Sequence, residues 1–190
     1  EGAVENNSWY VKKEDIELHF KEGVAETEVL KGMYPTVRCF RGEMKPYSEL
    51  FVEPNGKIIT TYLFTSGTGY ILTKKKAYNI EEVSYFFANP EEEYTIICCA
   101  ESLVYTKFEL TLIQADLENM SAYAASHLVL PLFRKESDLL VYDQNVKIGK
   151  TLQKSVVAGK QMIRIIVGSN WADEDCGFYE IGHNAVAQWN

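Results

Sequence analysis

The chain has 190 residues, of which 46% are hydrophobic, 24% charged and 13% aromatic. This is the composition of a globular protein, and it excludes a disordered chain, a collagen and a coiled coil. Acidic residues outnumber basic ones by 27 to 19, and the formal net charge of -8 gives a field that repels polyphosphates. We therefore expect neither nucleic acid nor a membrane as a partner, and no apolar run is long enough to span a bilayer.

The first 35 residues are polar and of mixed charge, and we interpret residues 1–35 as an N-terminal arm that lies on a larger body. Within the arm, residues 9–11 fit a short strand. Residues 15–20 alternate polar and apolar side chains, which is the period of a half-buried strand, so a second short strand is predicted there.

From residue 36 the sequence becomes a series of short β-branched and aromatic segments separated by turn residues. The clearest segment, 57–64, follows the turn signal Pro54-Asn55-Gly56 and ends before the break Ser66-Gly67-Thr68-Gly69. Turns about 8–12 residues apart are typical of an antiparallel sandwich or barrel. The lysines at 74–76 mark an exposed turn or sheet edge. The predicted strands are 48–52, 57–64, 70–73, 78–80, 83–87, 94–99 and 104–113.

The remainder of the chain returns to strand-like patterns after an interruption. We interpret residues 116–136 as a linker or short helix, with 116–127 as the best helical candidate. The chain ends at Gln188-Trp189-Asn190, where an aromatic residue is placed to pack within a further strand, so we expect the native chain to continue. The predicted strands of residues 137–190 are 138–142, 145–148, 155–160, 162–168 and 176–183.

Several of these patterns together resemble the cupin family, whose fold is a small jelly-roll barrel of antiparallel strands around a pocket. Arg41-Gly42-Glu43 followed by Pro46 is similar to the first barrel strand, and 63–70 is similar to a hairpin with a glycine turn. Residues 80–86 with 93–96 resemble the second half of the barrel. The resemblance implies an all-β fold: a cupin-like antiparallel jelly-roll barrel over 36–115 and a partial second barrel over 137–190, a bicupin-like arrangement.

The resemblance also implies a divalent metal, which the family holds with a His-x-His pair and a nearby Glu or Gln. The first unit has no histidine around Tyr62 and Phe64. In the second unit, residues 182–189 resemble the metal-binding strand, but His183 has the opposite parity to Gln188 and so points to the other face. The only other histidines are His19 and His127. We therefore predict no His-liganded metal and no cofactor, with a divalent metal kept as an alternative.

The candidate binding residues fall in both predicted units. An unperturbed histidine side chain has a pKa near neutrality, which makes His183 a candidate ligand or general base, and Gln188 resembles the family's last ligand. For both residues an ordinary strand position is the preferred interpretation. Aromatic side chains of the first barrel either line a narrow pocket or close it as a packed core, and the interior of an eight-stranded barrel favours the core. The candidate binding residues are His183, Gln188, Tyr62, Phe64 and Tyr179.

Other chemistry-bearing patterns are absent or weak. Asp173-Glu174-Asp175 lacks the alternating ligands and central glycine of a calcium loop and is interpreted as a solvated loop. No phosphate loop, G-x-S-x-G or H-E-x-x-H sequence is present. The four cysteines, Cys39, Cys98, Cys99 and Cys176, form no regular framework. We interpret them as buried free thiols, which favours a reducing, cytoplasmic location.

The sequence therefore predicts a cupin-fold protein that binds a small polar metabolite without the usual His-liganded metal. One alternative is a metal-dependent cupin enzyme, an isomerase or hydrolase acting on a sugar acid or ureide. Another is a structural or oligomerisation unit with a closed pocket. The expected partners are a small-molecule ligand and a second copy of the chain, because the strands of an incomplete barrel leave unpaired edges.

Overall fold

The computed structural model describes residues 11–112, 114, 130–138, 140–143, 148–151, 156–158, 161–163 and 166–168. Nearly all the regular structure in these residues is β-strand, as predicted. No helix in this part of the chain is long and apolar enough to cross a membrane. The first ten strands are β1 (Val24–Tyr34), β2 (Val37–Met44), β3 (Glu49–Val52), β4 (Ile58–Ser66), β5 (Gly69–Thr73), β6 (Ala77–Ile80), β7 (Ser84–Phe87), β8 (Tyr94–Cys98), β9 (Leu103–Thr111) and β10 (Leu132–Lys135).

These ten strands form two sheets. One has six strands in the order β1-β2-β9-β4-β7-β10, and the other has four in the order β3-β8-β5-β6. Neighbouring strands are antiparallel throughout, and strands that are distant in sequence lie side by side, as β2 and β9 do. A single buried cluster contains side chains from both sheets. The predicted antiparallel jelly-roll fold is therefore confirmed.

The sequence locates the strands from β3 to β9 correctly. Each predicted strand between residues 37 and 113 overlaps one observed strand. The glycine-rich break at 66–69 separates β4 from β5, and the lysines at 74–76 form the turn between β5 and β6. These predictions succeed because β-branched and aromatic residues alternate with turn residues at the spacing that the fold requires.

The N-terminal region differs from its prediction. The predicted strand at 15–20 is wrong: residues Lys13–Asp15 form a short 3-10 turn, and 16–20 is not strand. The backbone carbonyl of Glu17 instead accepts a hydrogen bond from the Thr27 hydroxyl at 2.6 Å. Strand β1, within the proposed arm 1–35, pairs with β2 at one edge of the six-stranded sheet. Most of the predicted strand at 9–11 lies outside the described residues.

The C-terminal part contains two small antiparallel sheets. Strands β11 (Leu140–Asp143), β12 (Ile148–Thr151) and β15 (Ile166–Gly168) form one, and β13 (Val156–Ala158) pairs with β14 (Gln161–Ile163). These strands overlap the predicted ones between 138 and 168. The linker prediction for 116–136 includes β10, which pairs with β7, whereas its helical candidate 116–127 lies outside the described residues. The domain boundaries and the partial second barrel remain predictions.

The barrel interior is filled mainly by aromatic side chains. Tyr62, Phe64, Phe86 and Tyr105 are each at most 1% exposed. The ring centroids of Tyr62 and Tyr105 are 5.4 Å apart, in an edge-to-face arrangement that favours aromatic pairs. Among the described cysteines, Cys39 and Cys98 are buried, Cys99 is half-buried and all three are free, which agrees with their predicted role as free thiols.

Candidate functional site

A charged patch lies on the inner face of the six-stranded sheet, beside the buried core cluster. Side chains alternate across a strand, so Lys107 and Glu109 of β9 share the inner face with the buried Tyr105. The register places Glu26 of β1 and Gly42 of β2 in the same row as Tyr105. Strands β1 and β9 thus contribute charged or hydroxyl groups to one interior region, and β2 between them contributes Gly42.

Gly42 allows the Tyr105 side chain to cross a whole strand. Tyr105 donates its hydroxyl hydrogen to Glu26 Oε2 at 2.6 Å, although β2 lies between their strands. A Cβ atom at Gly42 would lie 2.1 Å from Tyr105 Cζ, so the ring occupies the space of the missing side chain. Burial and the neighbouring Glu26 carboxylate raise the pKa of Tyr105 far above its ordinary value. Tyr105 is therefore a fixed neutral donor that orients Glu26.

The Lys107 ammonium lies between two carboxylates. Its Nζ forms a hydrogen bond with Glu26 Oε1 and is 3.3 Å from Glu109 Oε1. It also lies 4.4 Å from the centroid of the Phe40 ring, a favourable cation–π distance. The side chains of Lys107, Glu109 and Glu26 are 12%, 15% and 24% exposed. Because little water screens it, this group interacts more strongly than a surface ion pair does.

Two buried phenols lie beside this charged group. The hydroxyls of Tyr62 and Tyr94 are 2.8 Å apart, and one donates to the other. Burial raises the pKa of both residues well above the ordinary tyrosine value, so both are neutral donors near neutral pH. Since each hydroxyl has one hydrogen and the pair uses only one, the second hydrogen has no acceptor among the described residues.

These groups line an open cavity of about 240 Å³. Lys107, Glu26, Glu109, Tyr62 and Tyr94 provide polar groups to it. This volume is slightly below the range of roughly 300–1,000 Å³ typical of ligand pockets, so the cavity suits a small molecule. The other lining residues are Leu50, Val52, Glu53, Asn55, Ile58, Thr60, Ala88, Asn89, Pro90 and Glu92.

The structure places two of the five predicted binding residues. Tyr62 lines the cavity, whereas Phe64 lies in the core beneath it, with ring centroids 5.7 Å apart and the rings nearly parallel. His183, Gln188 and Tyr179 lie outside the described residues, so their predicted roles remain predictions. His19 is 86% exposed and lies near Glu17.

Sequence reasoning missed Glu26, Lys107 and Glu109. Lys107 and Glu109 alternate with Phe108 and Leu110, a pattern that ordinarily assigns the charged residues to the solvent face. The useful signal was that Lys107 and Glu109 alternate with Tyr105 along one strand, which places these three side chains on the same face. Glu26 was missed because β1 was not predicted as a strand.

The donor set does not fit the divalent metal implied by the cupin resemblance. Among the described residues, no group of three or more His, Cys, Asp or Glu side chains could hold a metal ion. The two inner carboxylates, Glu26 and Glu109, are instead bridged by the Lys107 ammonium. A cation in contact with both carboxylates would have to displace that ammonium.

The fold is similar to that of several solved structures. Ylba from E. coli is 14% identical with a TM-score of 0.57, and the match covers 77% of this chain and 61% of the Ylba chain. A Pseudomonas aeruginosa protein described as glyoxylate-induced has a TM-score of 0.57 and 13% identity, covering 80% and 57%. An RmlC-like cupin from Shewanella frigidimarina has a TM-score of 0.48 and 10% identity, covering 55% and 92%. This chain thus spans less than two thirds of the first two proteins.

No protein-family model matches the chain, and no curated protein matches it. At these identities the structural likeness concerns the fold alone. In this chain, two antiparallel sheets enclose one buried cluster of side chains. The protein has the jelly-roll fold of the cupin domains.

Proposed function

We propose that this cupin-fold protein binds a small polar metabolite in the cavity at the barrel mouth, without a His-liganded metal. One observation carries the proposal: the ion-paired side chains of Lys107, Glu26 and Glu109, which are 12%, 24% and 15% exposed, line an open cavity. The proposal concerns binding and specifies no reaction.

Burial of this group is difficult to explain by stability alone. Removing charges from water carries a penalty that their mutual attraction often fails to offset, and well-packed apolar residues frequently serve as well. The same barrel shows that alternative, because Phe64 and Phe86 fill part of its interior with apolar rings. Charges retained beside a cavity therefore support a role in contacting a ligand.

The open cavity also favours binding over the structural alternative of a closed unit. A purely structural barrel has no need of space, whereas here buried Tyr62 and Tyr94 face a volume of about 240 Å³. A metal-dependent isomerase or hydrolase is supported by no specific observation in the described residues, because their donor set does not match it.

The test is a thermal-shift screen of small polar metabolites, carried out with and without EDTA. A ligand at 100 times its Kd should stabilise the protein by about 2.7 kcal/mol. Stabilisation should persist in EDTA and disappear in Thr60→Trp, which places an indole in the cavity. Thr65→Trp is the matched control, because Thr65 is an exposed residue on the same strand. The proposal fails if every hit requires added metal or survives in Thr60→Trp.

We also propose that residues 137–190 begin a second barrel. The likenesses at TM-score 0.57 extend over 77% and 80% of the chain, farther than the first ten strands reach, and this supports the proposal. A homodimer and a cytoplasmic location remain predictions from the sequence. Sedimentation at micromolar concentration tests the former, because a monodisperse monomer would contradict it.

A further inference from the structure

The geometry points to the class of ligand that this cavity takes: a small organic cation that also carries a hydroxyl or carbonyl oxygen. This inference rests on the proposed function, because it concerns the same cavity. Two independent features carry it, an excess of negative charge and a phenol hydrogen that has no acceptor among the described residues.

The charge of the lining is strongly unequal. Four carboxylates, those of Glu26, Glu53, Glu92 and Glu109, line the cavity together with one ammonium, that of Lys107. Lys107 already contacts two of the carboxylates, and outside the cavity Lys75 Nζ lies 3.3 Å from Glu92 Oε1 at an exposed position. An anionic ligand would face an excess of like charge at low local dielectric, whereas a cation would be attracted.

Within the ion-paired group, Glu109 offers one carboxylate oxygen to such a cation. Both oxygens of Glu26 are in use, one by Lys107 and the other by Tyr105. Glu109 Oε1 lies near Lys107, and Oε2 of the same group accepts no hydrogen bond from the described residues. A ligand ammonium at Glu109 would therefore add to the ion-paired group without displacing Lys107.

The second feature requires an oxygen on the same ligand. Tyr62 and Tyr94 are 1% and 5% exposed, and their hydroxyls bond to each other while both residues line the cavity. One of the two hydroxyl hydrogens therefore has no acceptor among the described residues. A buried donor without an acceptor is destabilising, and a ligand oxygen would supply the acceptor.

The test compares three compounds with one three-carbon skeleton: serinol as the cation, glycerol as the neutral compound and glycerate as the anion. Binding to the full chain is measured by NMR titration at neutral pH. We expect serinol to bind at least about tenfold more tightly than glycerol, a difference of about 1.4 kcal/mol, with glycerate weakest. Equal or tighter binding of glycerol or glycerate, or no binding of serinol, overturns the inference.

Two further comparisons separate the charge from the oxygen. Glu109→Gln should reduce the affinity for serinol about tenfold while leaving that for glycerol unchanged, and the exposed Glu49→Gln is the matched control. Propylammonium, which lacks the oxygen, should bind more weakly than serinol to the wild type. In the double variant Tyr62→Phe/Tyr94→Phe this difference should vanish. A loss of fold alone would weaken all compounds equally, which contradicts the selective effect expected.

The two proposals can fail separately. If the metabolite screen yields an anion that binds the wild type and not Thr60→Trp, the proposed binding function stands and the assignment of a cationic ligand is wrong. If no compound in the screen or among the three-carbon probes binds the wild type and fails to bind Thr60→Trp, both proposals are wrong.

Discussion

At the scale of single residues, the charged site depends on the glycine that lets Tyr105 cross β2. Gly42→Ala would place a Cβ 2.1 Å from the Tyr105 ring, which is fully buried and has no free space to enter. We expect the free energy of unfolding to fall by about 1–3 kcal/mol, as is typical of overpacking, and the bond from Tyr105 to Glu26 to be lost. Urea unfolding measures the first effect.

Gly56→Ala is the control for Gly42→Ala. Its new Cβ would approach Glu91 Oε1 at 2.7 Å, but this atom is the far end of a flexible side chain that can rotate away. We expect almost no change in stability. Equal losses in the two variants would show that the Tyr105 contact is unimportant.

The two cations that lie over the Phe40 ring, Lys107 and Arg38, provide a second prediction about burial. Lys107→Met leaves Glu26 and Glu109 without their shared ammonium, at 24% and 15% exposure. Removing one partner of a fully buried pair costs about 3–5 kcal/mol, and we expect about 1–3 kcal/mol here because some water remains. Chemical denaturation of the variant measures the difference.

Arg38→Met is the matched comparison for Lys107→Met. Arg38 also lies over Phe40 and forms two hydrogen bonds with a β1 glutamate, Glu28, but its side chain is 53% exposed. The Arg38 guanidinium lowers the pKa of Glu28, so this stabilisation is present at neutral pH and lost as pH falls through the folded pKa. We expect a loss under about 1 kcal/mol at neutral pH. A larger loss in Arg38→Met than in Lys107→Met would contradict the argument from burial.

The same residues show how far the sequence can predict the site. Tyr62 and Phe64 were placed in the barrel because an aromatic, β-branched strand is a reliable local signal. Lys107 and Glu109 were missed because local alternation does not distinguish a charged interior row from a solvent face. That distinction depends on Glu26 and Tyr105, which are 79 residues apart in the chain.

At the scale of elements, β1 explains the main error in strand prediction. Its inner positions include Glu26 and Glu28 as well as Val24, while Ala25 on the opposite face is also buried, so no simple apolar-inside pattern is present. The carboxylates are tolerated because β2 and β9 supply Arg38, Tyr105 and Lys107. Conversely, the segment 15–20 has a strand-like pattern but no neighbouring strand, and a pattern without a partner does not form a sheet.

Two glycines with positive φ angles allow the cost of backbone strain to be compared with the cost of a steric clash. Gly67 links β4 to β5 with φ +90°, and a Cβ there would lie 2.1 Å from the backbone oxygen of Ser102. Gly32 in β1 has φ +76° and no atom within 4 Å of a built Cβ. We expect Gly32→Ala to cost about 1–2 kcal/mol from the left-handed conformation alone and Gly67→Ala clearly more.

Guanidinium chloride unfolding of the two variants tests this pair. The excess loss in Gly67→Ala measures the displacement of the Ser102 backbone, which cannot rotate away as a side chain can. Equal losses would mean that the turn between β4 and β5 shifts freely and does not fix the register of the two strands. That result would remove the structural reason for the glycine break seen in the sequence.

At the scale of the whole molecule, the interior should make the fold sensitive to alkali. Burial raises the pKa of Cys39 to about 11 and that of Tyr85 to about 12, and it raises those of Tyr62, Tyr94 and Tyr105 further. These groups keep their protons longer in the folded state than in the unfolded state. Their stabilising contribution is therefore complete below the unfolded pKa values and lost as pH rises through the folded ones.

We accordingly expect the free energy of unfolding to decline between about pH 9 and 12, with Cys39 alone contributing on the order of 2 kcal/mol. Unfolding by urea across this range measures the slope. Cys39→Val and Tyr85→Phe, which keep the side-chain shape and remove the ionisable group, should each flatten the decline over the interval that their group covers. Tyr47→Phe should not, because Tyr47 is 76% exposed. Two results would contradict this prediction: a free energy of unfolding that stays level to pH 11, or a decline that Cys39→Val leaves unchanged. Either result would mean that the Cys39 thiol is accessible to water in the folded protein, because only a desolvated thiol keeps its proton through this range.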